Sequence, residues 1–193
     1  MGTSALRYAT LGVGVLISVT GTLDAAQIDY RLLATNRTST MESEMNEAAA
    51  DGYRFSRVMG GETAFGGQET VVAMARGGSD SFDRAEYRLL ATSRTSTMQD
   101  ELNAAGQDGY LYVGQTVFET TFGGEEVVVM LERERDREPV TYEYLLLATR
   151  RTSTLENEMR SAGEDGFVLQ GLTVGETRFG GREVLAILNR VED

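Results

Sequence analysis

One twelve-residue stretch is written three times in this chain. It runs from Tyr30 to Met41 as Tyr-Arg-Leu-Leu-Ala-Thr-Asn-Arg-Thr-Ser-Thr-Met, returns at Tyr87–Met98 with Ser93 in place of the Asn, and returns again at Tyr144–Leu155. A Phe-Gly-Gly block recurs in the same register, at Phe65, Phe122 and Phe179. The interval is 57 residues each time, with no insertion between landmarks. A unit this small buries only about 60% of the surface its unfolded chain exposes, so alone it would be marginal. The chain has no cysteine to staple it. The units are therefore expected to pack on one another.

Within each unit the pattern predicts four elements. The aromatic-led apolar run Tyr30–Thr35, with its copies, suits a strand. A helix follows, with apolar residues at i, i+4 and i+7: Met41, Met45 and Ala48; Met98, Leu102 and Ala105; Leu155, Met159 and Ala162. Its start is read as a capping box, Ser39 with Glu42, Ser96 with Gln99 and Ser153 with Glu156. Its end is read at Gly52, Gly109 and Gly166, where left-handed geometry is common. The second strand is expected over 53–65, 110–122 and 167–179, and Phe-Gly-Gly turns it into a hairpin. The last strand is the most apolar piece, at 70–74, 127–131 and 184–188. It reads as a central strand covered on both faces, lying between the other two.

The expected fold is α+β: three tandem β-α-β-β units over residues 27–77, 84–134 and 141–191, each a three-stranded antiparallel sheet with one helix. Pseudo-threefold and linear packing are both open, and edge strands are expected to pair between neighbouring units. The connectors 77–83 and 132–139 read as solvated.

Composition removes several kinds of chemistry. There is no His and no Cys, and all 18 basic residues are Arg. A thiol nucleophile, an imidazole base, a thiolate or imidazole metal ligand and a P-loop or Schiff-base lysine are thus excluded. No loop has the alternating Asp spacing of a calcium site, and no Gly-rich stretch has a nucleotide-binding pattern. No cofactor or metal is expected. The net charge of −12 opposes binding to nucleic-acid phosphate and suits protein partners.

Residues 1–26 stand apart. No charge falls between Tyr8 and Leu23, and small residues follow at Ala25 and Ala26. The pattern suggests a signal peptide or a retained N-terminal membrane anchor. About 16 residues of helix span roughly 24 Å, short of a hydrocarbon core of about 30 Å. As an anchor, the segment would contact the membrane through Leu11, Val13, Val15, Leu16 and Ile17. Either reading implies the periplasmic or extracytoplasmic side of a bacterial membrane.

Two sets of recurring polar residues are candidates for chemistry. Arg37, Arg94 and Arg151 precede the helix starts, where free N–H groups and the helix dipole favour anions. They serve as anion or partner contacts, or else pair with Glu69, Glu126 and Glu183. Asp51, Asp108 and Asp165 sit in the turn after the helix and are expected to bond local backbone N–H groups. What recurs at 57-residue spacing is what the fold needs, and no unit carries its own cluster of polar residues. Variable positions, among them Arg54, Arg57, Tyr112 and Gln115, are expected at the surface.

The helix ends Ala105-Gly-Gln-Asp-Gly-Tyr110 and Ala162-Gly-Glu-Asp-Gly-Phe167 resemble small bacterial β-α-β-β domains of unknown function. Those share a G-x-x-G-aromatic helix end followed by a hairpin. The resemblance covers each unit, although Ala49 stands where Gly106 and Gly163 do. It implies fold only. The expected role is non-catalytic: a membrane-extrinsic structural subunit holding other protein subunits of a membrane complex together. The alternative is a free periplasmic module binding a small ligand between units.

Overall fold

The computed structural model describes residues 27–63, 67–77, 84–119, 125–177 and 181–192. Residues 1–26 and the Phe-Gly-Gly tips thus lie largely outside the described residues, and with them the leader reading and its membrane contacts. The elements run β1 (Asp29–Thr35), α1 (Thr38–Ala50), β2 (Arg54–Thr63), β3 (Gly67–Arg76), β4 (Ala85–Thr92), α2 (Thr95–Gln107), β5 (Leu111–Glu119), β6 (Glu125–Glu134), β7 (Tyr142–Thr149), α3 (Thr152–Glu164), β8 (Val168–Thr177) and β9 (Gly181–Val191). The class is α+β. Three antiparallel sheets have the orders β1-β3-β2, β4-β6-β5 and β7-β9-β8. The last strand of each unit is central, as its apolar run requires.

The helix ends form as the glycines predict. Gly52, Gly109 and Gly166 have φ of 86°, 82° and 86°. The N–H of Tyr53 reaches the carbonyl of Ala48 and that of Gly52 reaches Ala49, the paired bonds of a Schellman end. The helix starts differ from expectation. Each begins one residue before the Ser, and Arg37, Arg94 and Arg151 occupy the cap position with no side-chain cap bond. The capping box does not form. Instead the hydroxyls of Thr35, Thr92 and Thr149 accept the N–H of the cap arginines. That fixes the extended entry, places Ser39 inside the first turn and frees Glu42 and Gln99 for another task.

The units form a row. Met41 and Met45 of α1 are buried between their own sheet, at Val72 and Met74, and the next one, at Tyr87, Leu89, Val128 and Met130. In the same way α2 lies between sheet two, at Val129 and Leu131, and sheet three, at Tyr144, Leu185 and Ile187. On the other flank β2 packs directly on β5, and β5 on β8. The central strands β6 and β9 are buried on both faces, while β3 alternates buried and half-buried residues, since among the described residues no helix covers its second face. Only Leu155 and Ala162 of α3 are buried. Among the described residues the row is open: no helix lies on the front face of sheet one, and no sheet lies behind α3.

Candidate docking interface

The two joints between units are built from side chains bonding to backbone. β4 is the edge of its sheet, so its outward N–H and C=O groups lack a strand partner. Asn46, in the middle of α1, supplies both missing bonds at Tyr87. Its Nδ2 donates to the Tyr87 carbonyl at 2.9 Å, and its Oδ1 accepts the Tyr87 N–H at 2.9 Å. One turn earlier, the Glu42 carboxylate accepts the N–H of Leu89 at 2.8 Å. The second joint repeats the device. Asn103 Oδ1 accepts the Tyr144 N–H at 3.0 Å, and Gln99 bonds the Tyr144 carbonyl at 2.8 Å and the Leu146 N–H at 2.7 Å. Edge strands therefore do not pair between units, as the sequence had suggested they would. A helix side chain four residues from its fellow mimics the missing ladder.

The tyrosine at each joint is buried and anchored. Tyr87 accepts the Phe55 N–H at 2.7 Å and donates to Glu132 at 2.6 Å. Burial and the Glu132 charge push its hydroxyl far above the ordinary value. Tyr144 donates to the Tyr110 carbonyl at 2.9 Å, and burial raises its pKa to about 12. Close approach on the other flank needs glycine. A Cβ on Gly114 would lie 2.7 Å from the Phe55 ring of the preceding unit, and one on Gly171 would collide with the Tyr112 hydroxyl.

Neither exposed end of the row carries this chemistry unchanged. Tyr30 and Leu32 occupy in β1 the places of Tyr87 and Leu89, and are 64% and 70% exposed against 2% and 8%. Ile28, at the place of Ala85, is also exposed. With Ala34 they form an alternating row on the outer face of β1. At the far end, Arg160 stands where Asn46 and Asn103 do and pairs with Glu156 at 2.9 Å. Arg57 stands at the place of Gly114 and Gly171, exposed on the front. On β8, Leu169, Leu172 and Val174 are exposed, and none of the described residues covers them.

The other polar candidates serve the helix ends. Arg76, Arg133 and Arg190 donate to the main-chain carbonyls of Asp51, Asp108 and Asp165, placing a cation at each helix C-terminus. Asp51 and Asp108 accept from Arg31 and Arg88 at 2.9 and 2.8 Å, rather than from local N–H groups, because those guanidinium groups reach them across the turn. Arg31 and Arg76 flank the Tyr53 ring, Arg88 and Arg133 flank Tyr110, and Arg190 lies over Phe167. Burial pushes the Glu86 carboxyl up, but the hydrogen bond and charge of Arg133, with Arg135, outweigh it and lower its pKa.

Arg37, Arg94 and Arg151 are exposed, one on each unit. It is Arg150, not Arg151, that approaches Glu183, at 3.9 Å. Arg37 borders a cleft with Asn36, Thr38, Met41, Thr70, Leu89 and Val128, of ≈ 10 Å³, about the room one water needs. Gln115 departs from its expected surface position. Both polar atoms of its side chain are buried without a partner. Tyr112 is half-buried, and burial raises its pKa to about 12. Among the described residues no helix is long and apolar enough to cross a membrane, and no acidic cluster could hold a metal ion.

Asn46 and Asn103 are the functional residues that sequence reasoning passed over. Their signal was faint: an Asn recurring in a helix interior, where it is a poor former, and replaced by Arg160 in the last unit. No protein-family model, curated protein or solved structure matches this chain.

Proposed function

We propose that the chain is a non-catalytic structural subunit, extrinsic to a bacterial membrane on its periplasmic side, that holds other proteins of a larger complex together. The observation that carries this reading is the pair of unlike ends. A row of three units presents an apolar strand face at β1 and a second apolar surface at β8, at opposite ends of the row. Contiguous apolar surface on a chain otherwise this acidic favours protein contact. Residues 1–26 would hold the row at the membrane, with Leu11, Val13, Val15, Leu16 and Ile17 at the lipid and Arg37, Arg94 and Arg151 available to acidic partners.

Mass spectrometry of the protein released gently from its native membranes tests this. The expected result is fixed stoichiometry with other subunits. A solitary chain would overturn it. The second reading, a periplasmic ligand-binding module, draws on the cleft at Arg37 between units one and two. Its volume suits a water rather than a metabolite, which favours the structural role.

A further inference from the structure

We propose that the β1 face is a receptor for a single amphipathic helix of a partner protein, bearing the motif apolar-(Glu/Gln)-x-x-apolar-Asn. This rests on the structural-subunit reading and names the partner's chemistry.

The two internal joints supply the argument. At both, the edge strand of one unit is covered by a helix of the unit before it. The covering segments are Met41-Glu42-Ser43-Glu44-Met45-Asn46 and Met98-Gln99-Asp100-Glu101-Leu102-Asn103. In each, the two apolar residues pack against the strand's aromatic and leucine. The carboxylate or amide takes the N–H of Leu89 or Leu146, and the Asn takes the N–H of Tyr87 or Tyr144. β1 repeats the strand side of this pairing, with Tyr30 and Leu32 at the same places, but among the described residues no helix covers it.

Three occupants compete for the face. A second copy of the chain would have to use α3, since α1 and α2 are enclosed. Its segment Leu155-Glu156-Asn157-Glu158-Met159-Arg160 ends in Arg, which donates but cannot accept the Tyr30 N–H. Arg160 is also tied to Glu156. The second copy's β8 would then meet Arg57, where the internal joints tolerate only glycine. Residues 1–26 contain no Asn, Gln or Glu and cannot supply the motif. A helix from another protein meets neither obstacle. It needs no strand beside β2, and an acidic residue on its flank would face Arg57.

The probe is a hydrocarbon-stapled, fluorescent peptide of residues 95–107, this chain's own α2, titrated against the full chain by anisotropy. The staple offsets the poor helicity of so short a peptide in water. Saturable one-to-one binding is expected, weakened about tenfold or more by Asn103→Arg in the peptide, which removes the accepting oxygen. Leu32→Glu in the chain is expected to abolish binding with an unchanged melting temperature, since Leu32 is exposed. Equal binding of the native and Asn103→Arg peptides overturns the proposal. So does absence of binding, which means that residues 1–26, a second copy or nothing takes the face. If subunits co-purify from membranes but no peptide binds, this inference falls and the structural role stands. If the chain is solitary yet binds the peptide, the reverse holds.

Discussion

Gln115 sits where units one and three carry Val58 and Leu172. Its amide lies against the close approach of β5 to β8, next to Gly171, and finds no hydrogen-bond partner. An unmade buried hydrogen bond costs on the order of 1–3 kcal/mol. Gln115→Leu is therefore expected to stabilise the fold by about 1 kcal/mol, raising the denaturant midpoint without changing the slope. The buried tyrosines set a second expectation. Tyr144 and Tyr112 are raised to about 12 in the folded state, against about 10 unfolded. Above pH ~10 the unfolded chain binds fewer protons than the folded one, so stability falls as pH rises. It should be intact below pH ~10 and decline between ~10 and ~12. Tyrosinate absorbance should show these hydroxyls ionising late, or only together with unfolding.

At the scale of the element, each helix does two jobs. Its apolar stripe closes its own sheet, and its Glu/Gln–Asn pair completes the edge of the next. Burial of Tyr87 and Leu89 contributes roughly 1.5–3 kcal/mol each, and the side-chain bonds add about 1 kcal/mol apiece. Asn103→Ala leaves the buried Tyr144 N–H without its acceptor and is expected to cost about 2 kcal/mol in chemical denaturation. Hydrogen exchange should quicken first at Tyr144, while Leu146 keeps its Gln99 acceptor. The helix itself was legible in the sequence, because its 3.6-residue stripe and terminal glycines report local physics. The capping box was misread because Ser39 and Glu42 have the right spacing, while the Thr35 hydroxyl, two residues before the cap, had already fixed the entry. The joints were illegible for another reason. Asn46 on a helix surface looks like a solvated residue, and its partner lies 41 residues away in sequence on a strand whose edge cannot be recognised before the sheet order is known. The same gap hid the separate sheets, since an apolar run gives a central strand but not what lies beyond the sheet's edge.

At the scale of the whole molecule, the row ends where two arginines interrupt the pattern. A head-to-tail contact that does not close on itself propagates into filaments unless something stops it. Arg57 fills a place that internal joints keep empty, and Arg160 replaces the residue that grips the next edge. Arg57→Gly combined with Arg160→Asn is expected to let copies stack, giving concentration-dependent oligomers in sedimentation while the native chain sediments unchanged. No added association would show that the arginines are not what ends the row. The two internal joints also differ in how closely helix and strand approach. Ala49 faces Ala85 at the first, whereas at the second Gly106 lets the Tyr142 carbonyl come so close that any Cβ would strike it. Near-identical segments invite one mispairing in particular, α1 against β7 with the middle unit skipped. In that pairing the methyl group of Ala49 would take the place of the Cβ that Gly106 lacks, so the geometry disfavours the shortcut. One methyl group thus gives α1 a steric reason to take the nearer edge.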